Sequence, residues 1–178
     1  MQTNFRSILL IIVCLFVSTA AFAQKCKYDY QVKDEFTGKE VKSIHTSLIG
    51  SFLYSWVKWT TFKDKDDFKI AIGLLFNGEQ NEFMKTTDSL FIKLNNGKIH
   101  TFVPIQATAP QSQVGKSGVY TMYQPVYMAS REFYTELASN ELIAIKIFVS
   151  GTEHFFGVDK FEKKAPKKIS EAAACIIN

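Results

Sequence analysis

Two cysteines stand near opposite ends of this 178-residue chain, Cys26 and Cys175. A bond between them would tie the first strand to the last helix and close almost the whole chain into one loop. The third cysteine, Cys14, lies in an apolar stretch at the N-terminus and has to be accounted for first.

Residues 1–23 read as a secretory leader. Arg6 is their only charge, Ile8 to Val17 is an apolar run, and Ala21-Phe22-Ala23 is a small-x-small cleavage site that makes Gln24 the expected first mature residue. The run is short for a membrane span, which needs about 20 apolar residues. No small residue directly precedes Cys26, so a lipid-anchored cysteine is not expected. Removing 23 residues from 178 leaves 155, takes away Cys14, and lowers the formal charge from +4 to +3. The expected product is secreted or periplasmic, with no transmembrane span after cleavage. In an oxidising compartment two remaining cysteines persist as a disulfide, and chain termini often lie close together, so a Cys26–Cys175 bond is expected. A domain this size buries about two-thirds of its chain surface and requires no metal for stability.

Residues 24–178 read as one domain, without repeats, low-complexity tracts or linkers. Tyr28, Tyr30 and Val32 alternate with polar residues, Phe36 to Lys39 is a turn candidate, and Glu40 to about Leu48 is a partner strand. Phe52 to Phe62 is an aromatic and β-branched strand. Lys63 to Asp67 is a solvated turn. Phe68 to Phe76 is apolar on both faces and reads as a central strand. The segment from Ala107 to Gly118 is polar, lacks periodicity and reads as a long loop.

Asn96-Gly97 predicts a two-residue hairpin turn with positive φ at both positions. Such a turn places Leu94 opposite Ile99 and Lys93 opposite His100. Leu90, Ile92 and Leu94 then share the core face with Ile99 and Val103, and His100 points to solvent. Val119 to Met128 is a further strand, with Pro125 marking an edge or bulge. Ser130 caps a helix over Arg131–Ser139, Leu142 to Val149 is a buried strand, and a last helix runs from about Pro166 to Ile176. Strands dominate and βαβ alternation is absent. The expected fold is α+β, a mainly antiparallel twisted sheet packed by two helices, with a β-sandwich carrying peripheral helices as the alternative.

The sequence carries no catalytic motif. His45, His100 and His154 fall on separate strands with no second His or Cys at zinc-ligand spacing. Gly-x-Ser-x-Gly is absent. Gly115-Lys116-Ser117 has Pro110 where a phosphate loop needs glycine, and a strand follows it. Asp34-Glu35 and Asp66-Asp67 are neighbouring carboxylates in turns. No cofactor or metal is expected, and catalysis is left as the less favoured reading. Lys160, Lys163, Lys164, Lys167 and Lys168 form a solvated helix start, and export with a charge of +3 argues against nucleic acid.

Aromatics are in excess: 13 Phe, 7 Tyr and 2 Trp follow residue 23. Tyr54, Trp56, Trp59, Tyr120, Tyr123 and Tyr127, with Tyr134, form a candidate ligand or partner surface, because rings stack on sugars and accept apolar ligands. The competing reading is that they fill the core of a β-rich fold.

Cys26, the Asp34-Glu35-Phe36-Thr37-Gly38 segment, the Asn96-Gly97 hairpin and the late Cys175 helix together carry a resemblance. The chain resembles small exported proteins of unknown function from Gram-negative bacteria. That resemblance implies export and brings no catalytic residues with it. The leading expectation is an exported, non-catalytic domain that binds a partner or ligand in the cell envelope. The alternatives are a carrier of small apolar or sugar ligands, and an envelope hydrolase whose residues converge only in the fold.

Overall fold

The β-branched and aromatic runs pair into eleven strands among the described residues of the computed structural model, which are 26–38, 40–50, 55–65, 67–115 and 118–177. The expected leader, Cys14 and Tyr54 lie outside them. The α+β expectation holds, with the strands divided between two antiparallel sheets.

The first sheet holds β1 (Tyr30–Lys33), β2 (Glu40–Ile49), β3 (Ser55–Asp64), β4 (Asp67–Asn77), β8 (Gly118–Tyr123) and β7 (Gln111–Gly115), in that order, and β9 (Val126–Ala129) also pairs with β4. The second holds β11 (Thr152–Gly157), β10 (Leu142–Val149), β5 (Leu90–Leu94) and β6 (Ile99–Phe102). Two helices complete the fold, α1 (Arg131–Ser139) and α2 (Ala165–Ile177).

Register determines what each strand buries, because directly paired residues share a face. Thr46, Trp59 and Ile72 form one cross-strand row. Thr61, Ile70 and Tyr127 form the next, and Val57, Leu74 and Tyr123 a third; the Leu74–Tyr123 pair belongs to the β4–β8 ladder. All nine side chains are buried. Helix α2 packs on this sheet at β2 and β3 and also reaches β10. It brings Ile169, Ala173 and Ile176 into one core with residues of both sheets.

β8 and β9 run along β4 in one unbroken register, Leu74 opposite Tyr123 and Ala71 opposite Val126. Pro125 lies between them and cannot donate, but its carbonyl still accepts from Ile72 N at 3.1 Å. The proline therefore interrupts the ladder without shifting it.

Two expectations are corrected. The segment from Ala107 to Gly118 is not one long loop, since Gln111–Gly115 pairs with β8 as an edge strand. All five of its residues are exposed, so it has no buried face to mark it with alternating hydrophobicity. The second correction is the hairpin register. Leu94 N donates to Lys98 O and Gly97 N to Leu94 O, which makes a three-residue loop with Gly97 at φ +85. Lys93 now faces Ile99 and Ile92 faces His100. One residue of slip turns every side chain of β6 over. Ile99 and Val103 are 62% and 58% exposed, while His100 and Phe102 turn inward against Phe133 of α1, with ring centroids 4.9 Å from it in each case.

The helices follow the sequence closely. Ser130 accepts from Phe133 N at 3.1 Å and caps α1, which buries Phe133, Tyr134 and Leu137. The Cys26–Cys175 disulfide is present, with Cα atoms 5.5 Å apart, and Tyr28 Oη donates to Cys175 O beside it.

Candidate functional site

The segment that crosses from one sheet to the other, residues 78–89, follows the end of β4 and is fastened at many points. Gly78, at φ +86, donates to Val119 O. Gln80 N donates to Thr121 Oγ1, whose hydroxyl donates in turn to Gly78 O. Tyr123 Oη donates to Glu82 O at 2.7 Å, and Ser150 Oγ donates to Phe83 O at 3.0 Å. Met84 pairs with Thr108 as an isolated bridge. Asp88 closes the segment: its carboxylate is 4% exposed and accepts from Lys85 N, Ser150 N and Gly151 N.

This fastening holds open a cleft of about 400 Å³ between the sheets, lined by Phe76, Gln80, Glu82, Tyr123, Val149, Ser150, Thr152 and His154. That volume lies within the range of small-ligand pockets. Phe76 is its central ring, 4.8 Å from the His154 ring and 6.0 Å from Tyr123 by centroid. Phe76 and Tyr123 come from the first sheet, and His154 and Val149 from the second. Partial burial lowers the pKa of His154 below 6.5, so the imidazole is neutral at pH 7. Burial, then the nearby Glu82 charge, raises the pKa of Tyr123, which keeps it a neutral hydrogen-bond donor. Among the described residues no lysine or arginine lines the cleft.

Of the six aromatics singled out from the sequence, Trp59, Tyr123 and Tyr127 share the inner face of the first sheet and are at most 1% exposed. They are core residues rather than an open ligand surface, because register points them at the helices and the second sheet. Only Tyr123 also borders a cleft. Tyr134 is buried as well, and its hydroxyl donates to Lys69 O at 2.6 Å. Tyr120 is half-buried on the β7–β8 hairpin, where its ring lies over Gly115 so closely that a Cβ there would sit 2.9 Å from Cε2. Trp56 lies opposite Leu75 in the β3–β4 ladder, with its side chain outside the described set, as is all of Tyr54.

The three histidines stay apart. His45 Nδ1 is 2.9 Å from Thr60 Oγ1. His100 Nε2 is 3.1 Å from Glu136 Oε2 but out of line for a hydrogen bond. The expectation that His100 points to solvent is therefore overturned by the register slip. Among the described residues no group of three or more His, Cys, Asp or Glu is arranged to hold a metal ion, and no helix is long and apolar enough to cross a membrane.

The outer face of the second sheet carries a smaller apolar group. Phe91 and Phe148 meet edge to face at 6.2 Å, Lys146 Nζ lies over both rings, and Phe155 is 64% exposed.

Sequence reasoning missed Phe76, Gln80, Glu82 and Ser150 as neighbours. Phe76 read as the end of a core strand, and nothing local marks a crossing segment as one wall of a cleft. No family model, curated protein or solved structure matches this chain.

Proposed function

We propose that this protein is an exported, non-catalytic binding domain, and that the cleft between its two sheets holds the ligand. The observation that carries this reading is the state of the polar groups there. Ser150 spends its hydroxyl proton on Phe83 O, and among the described residues no hydrogen bond links a hydroxyl to His154. A nucleophile needs such a base within reach. The cleft instead combines a run of rings with hydrogen-bonding groups, Glu82 the only charged one among the lining residues, which is how binding sites orient small molecules. Export is supported by the leader pattern and by the disulfide, since such bonds persist in oxidising compartments.

The test is titration of the ¹⁵N-labelled protein with mixtures of small metabolites, followed through its amide signals. Binding should move the amides of Gln80, Glu82, Thr152 and His154 without product formation. Turnover of any component would replace this reading with the hydrolase alternative. Export is checked separately by expressing the full chain in a Gram-negative host, with Gln24 as the expected N-terminus of the periplasmic product.

A further inference from the structure

Resting on the reading that the cleft is the ligand site, we propose that its ligand is a neutral saccharide, with one pyranose ring seated against Phe76. A pyranose has an apolar C–H face and a rim of hydroxyls. The C–H groups on that face carry slight positive charge and are attracted to the negative face of an aromatic ring. The cleft offers the matching division. Phe76, flanked by the His154 and Tyr123 rings, forms the apolar wall. Gln80, Glu82 and Thr152 are exposed side chains that also line the cleft, able to donate to or accept from ring hydroxyls. Ser150 has given its proton to Phe83 O and keeps acceptor capacity.

Other ligand classes fit less well. An anion would meet Glu82 with no lining cation among the described residues to balance it. A purely apolar ligand would make no use of the hydrogen-bonding groups of Gln80, Glu82 and Thr152. An organic ammonium ion would suit the rings and Glu82. It would make no use of Gln80, Ser150 and Thr152, so the saccharide uses more of the wall. The loop that carries Gln80 and Glu82 is already tied down by Thr121, Tyr123 and Asp88, so little ordering is required on binding.

The experiment titrates ¹⁵N-labelled protein with glucose, galactose, N-acetylglucosamine and their short oligomers. Glucuronate, tetramethylammonium and decanoate serve as the anionic, cationic and apolar probes. The expected result is saturable movement of the cleft amides with at least one neutral saccharide, and tighter binding for oligomers than for single sugars. Gln80→Ala, an exposed change that leaves the Gln80 N–H bond in place, should weaken that binding about tenfold, and Phe76→Ala should abolish it. Because Phe76 also packs on the core, His154→Ala serves as a second ring variant, with an unchanged amide spectrum as the control for folding. Movement of the same amides by glucuronate, tetramethylammonium or decanoate alone would overturn the saccharide and keep the cleft. No movement with any probe overturns the saccharide as well, and the metabolite-mixture titration then decides the cleft by itself.

Discussion

The Asp88 carboxylate accepts the backbone N–H of Ser150 at 2.9 Å, across 62 residues of sequence. The same group takes Gly151 N and Lys85 N, so one buried carboxylate joins the crossing segment to the β10–β11 turn. That turn holds Ser150 at φ 52 and Gly151 at φ 80, which presents two consecutive N–H groups to one acceptor. Here the geometry of the cleft and the stability of the fold depend on the same bonds.

Asp88→Ala should therefore cost about 2–4 kcal/mol, because three backbone donors lose a charged acceptor at a buried site. Asp88→Asn should recover only part of this, since its amide offers one acceptor oxygen and sets an N–H against other donors. Urea unfolding of the three proteins checks the order. Equal stability of all three would remove Asp88 as the fastener.

The Cys26–Cys175 bond spans 149 positions. Loop-closure entropy for such a span sets an upper limit of about 5 kcal/mol on its stabilisation. Cys26→Ser with Cys175→Ser should lower the melting temperature by many degrees. Intact mass after alkylation without reduction should show no modified thiol in the mature protein, and two after reduction under denaturing conditions.

The hairpin register predicts opposite outcomes on one strand. Ile99→Lys should change stability by no more than about 0.5 kcal/mol, because Ile99 is already in solvent. Phe102→Lys should cost more than about 2 kcal/mol, because that ring packs on Phe133. The two-residue turn expected from Asn-Gly would reverse this order. Gly97→Val should cost about 1–2 kcal/mol through its positive φ alone, since a Cβ there meets nothing within 4 Å.

Acid should weaken the protein through two groups. The His154 pKa is depressed by burial, so the unfolded chain binds this proton more readily than the folded protein. The associated stability is complete above 6.5, the ordinary value, and is lost as pH falls through the lower folded value. Glu136 is held below the ordinary carboxylate value of 4.5 by hydrogen bonds from Lys98 and then Asn96. Its contribution is complete above 4.5 and is lost as pH falls through its depressed folded value. The His154 ring protons should titrate by NMR with a midpoint below 6.5. Glu136→Gln should flatten the acid end of the stability profile while leaving the His154 window intact.

The elements most legible in the sequence were those with a buried face and a local stop signal. Ser130 and Asn140 bracket α1, and the stripe Phe133, Tyr134 and Leu137 was readable because helical spacing puts it on one side. The Leu142–Val149 strand was legible because its apolar run is bounded by turn residues. β7 was not, since an exposed edge strand needs only backbone pairing, and polar residues satisfy that as well as apolar ones. The aromatic excess was visible as composition, but composition does not say which way a ring points.

By itself, the sequence determined the α+β class, the helix caps, most strand positions and the cysteine pair, because these depend on local periodicity, capping and count. Tertiary structure decided the division into two sheets, the face of β6 and the company of Phe76. Each of these depends on which backbone groups pair across long separations. One N–H choice at Leu94 turned Ile99 outward and His100 inward. A carboxylate at Asp88 placed residues 78–89 against a turn 62 positions away. The two cysteines near the chain ends were plain in the sequence, and the fold supplied the 5.5 Å Cα approach between them.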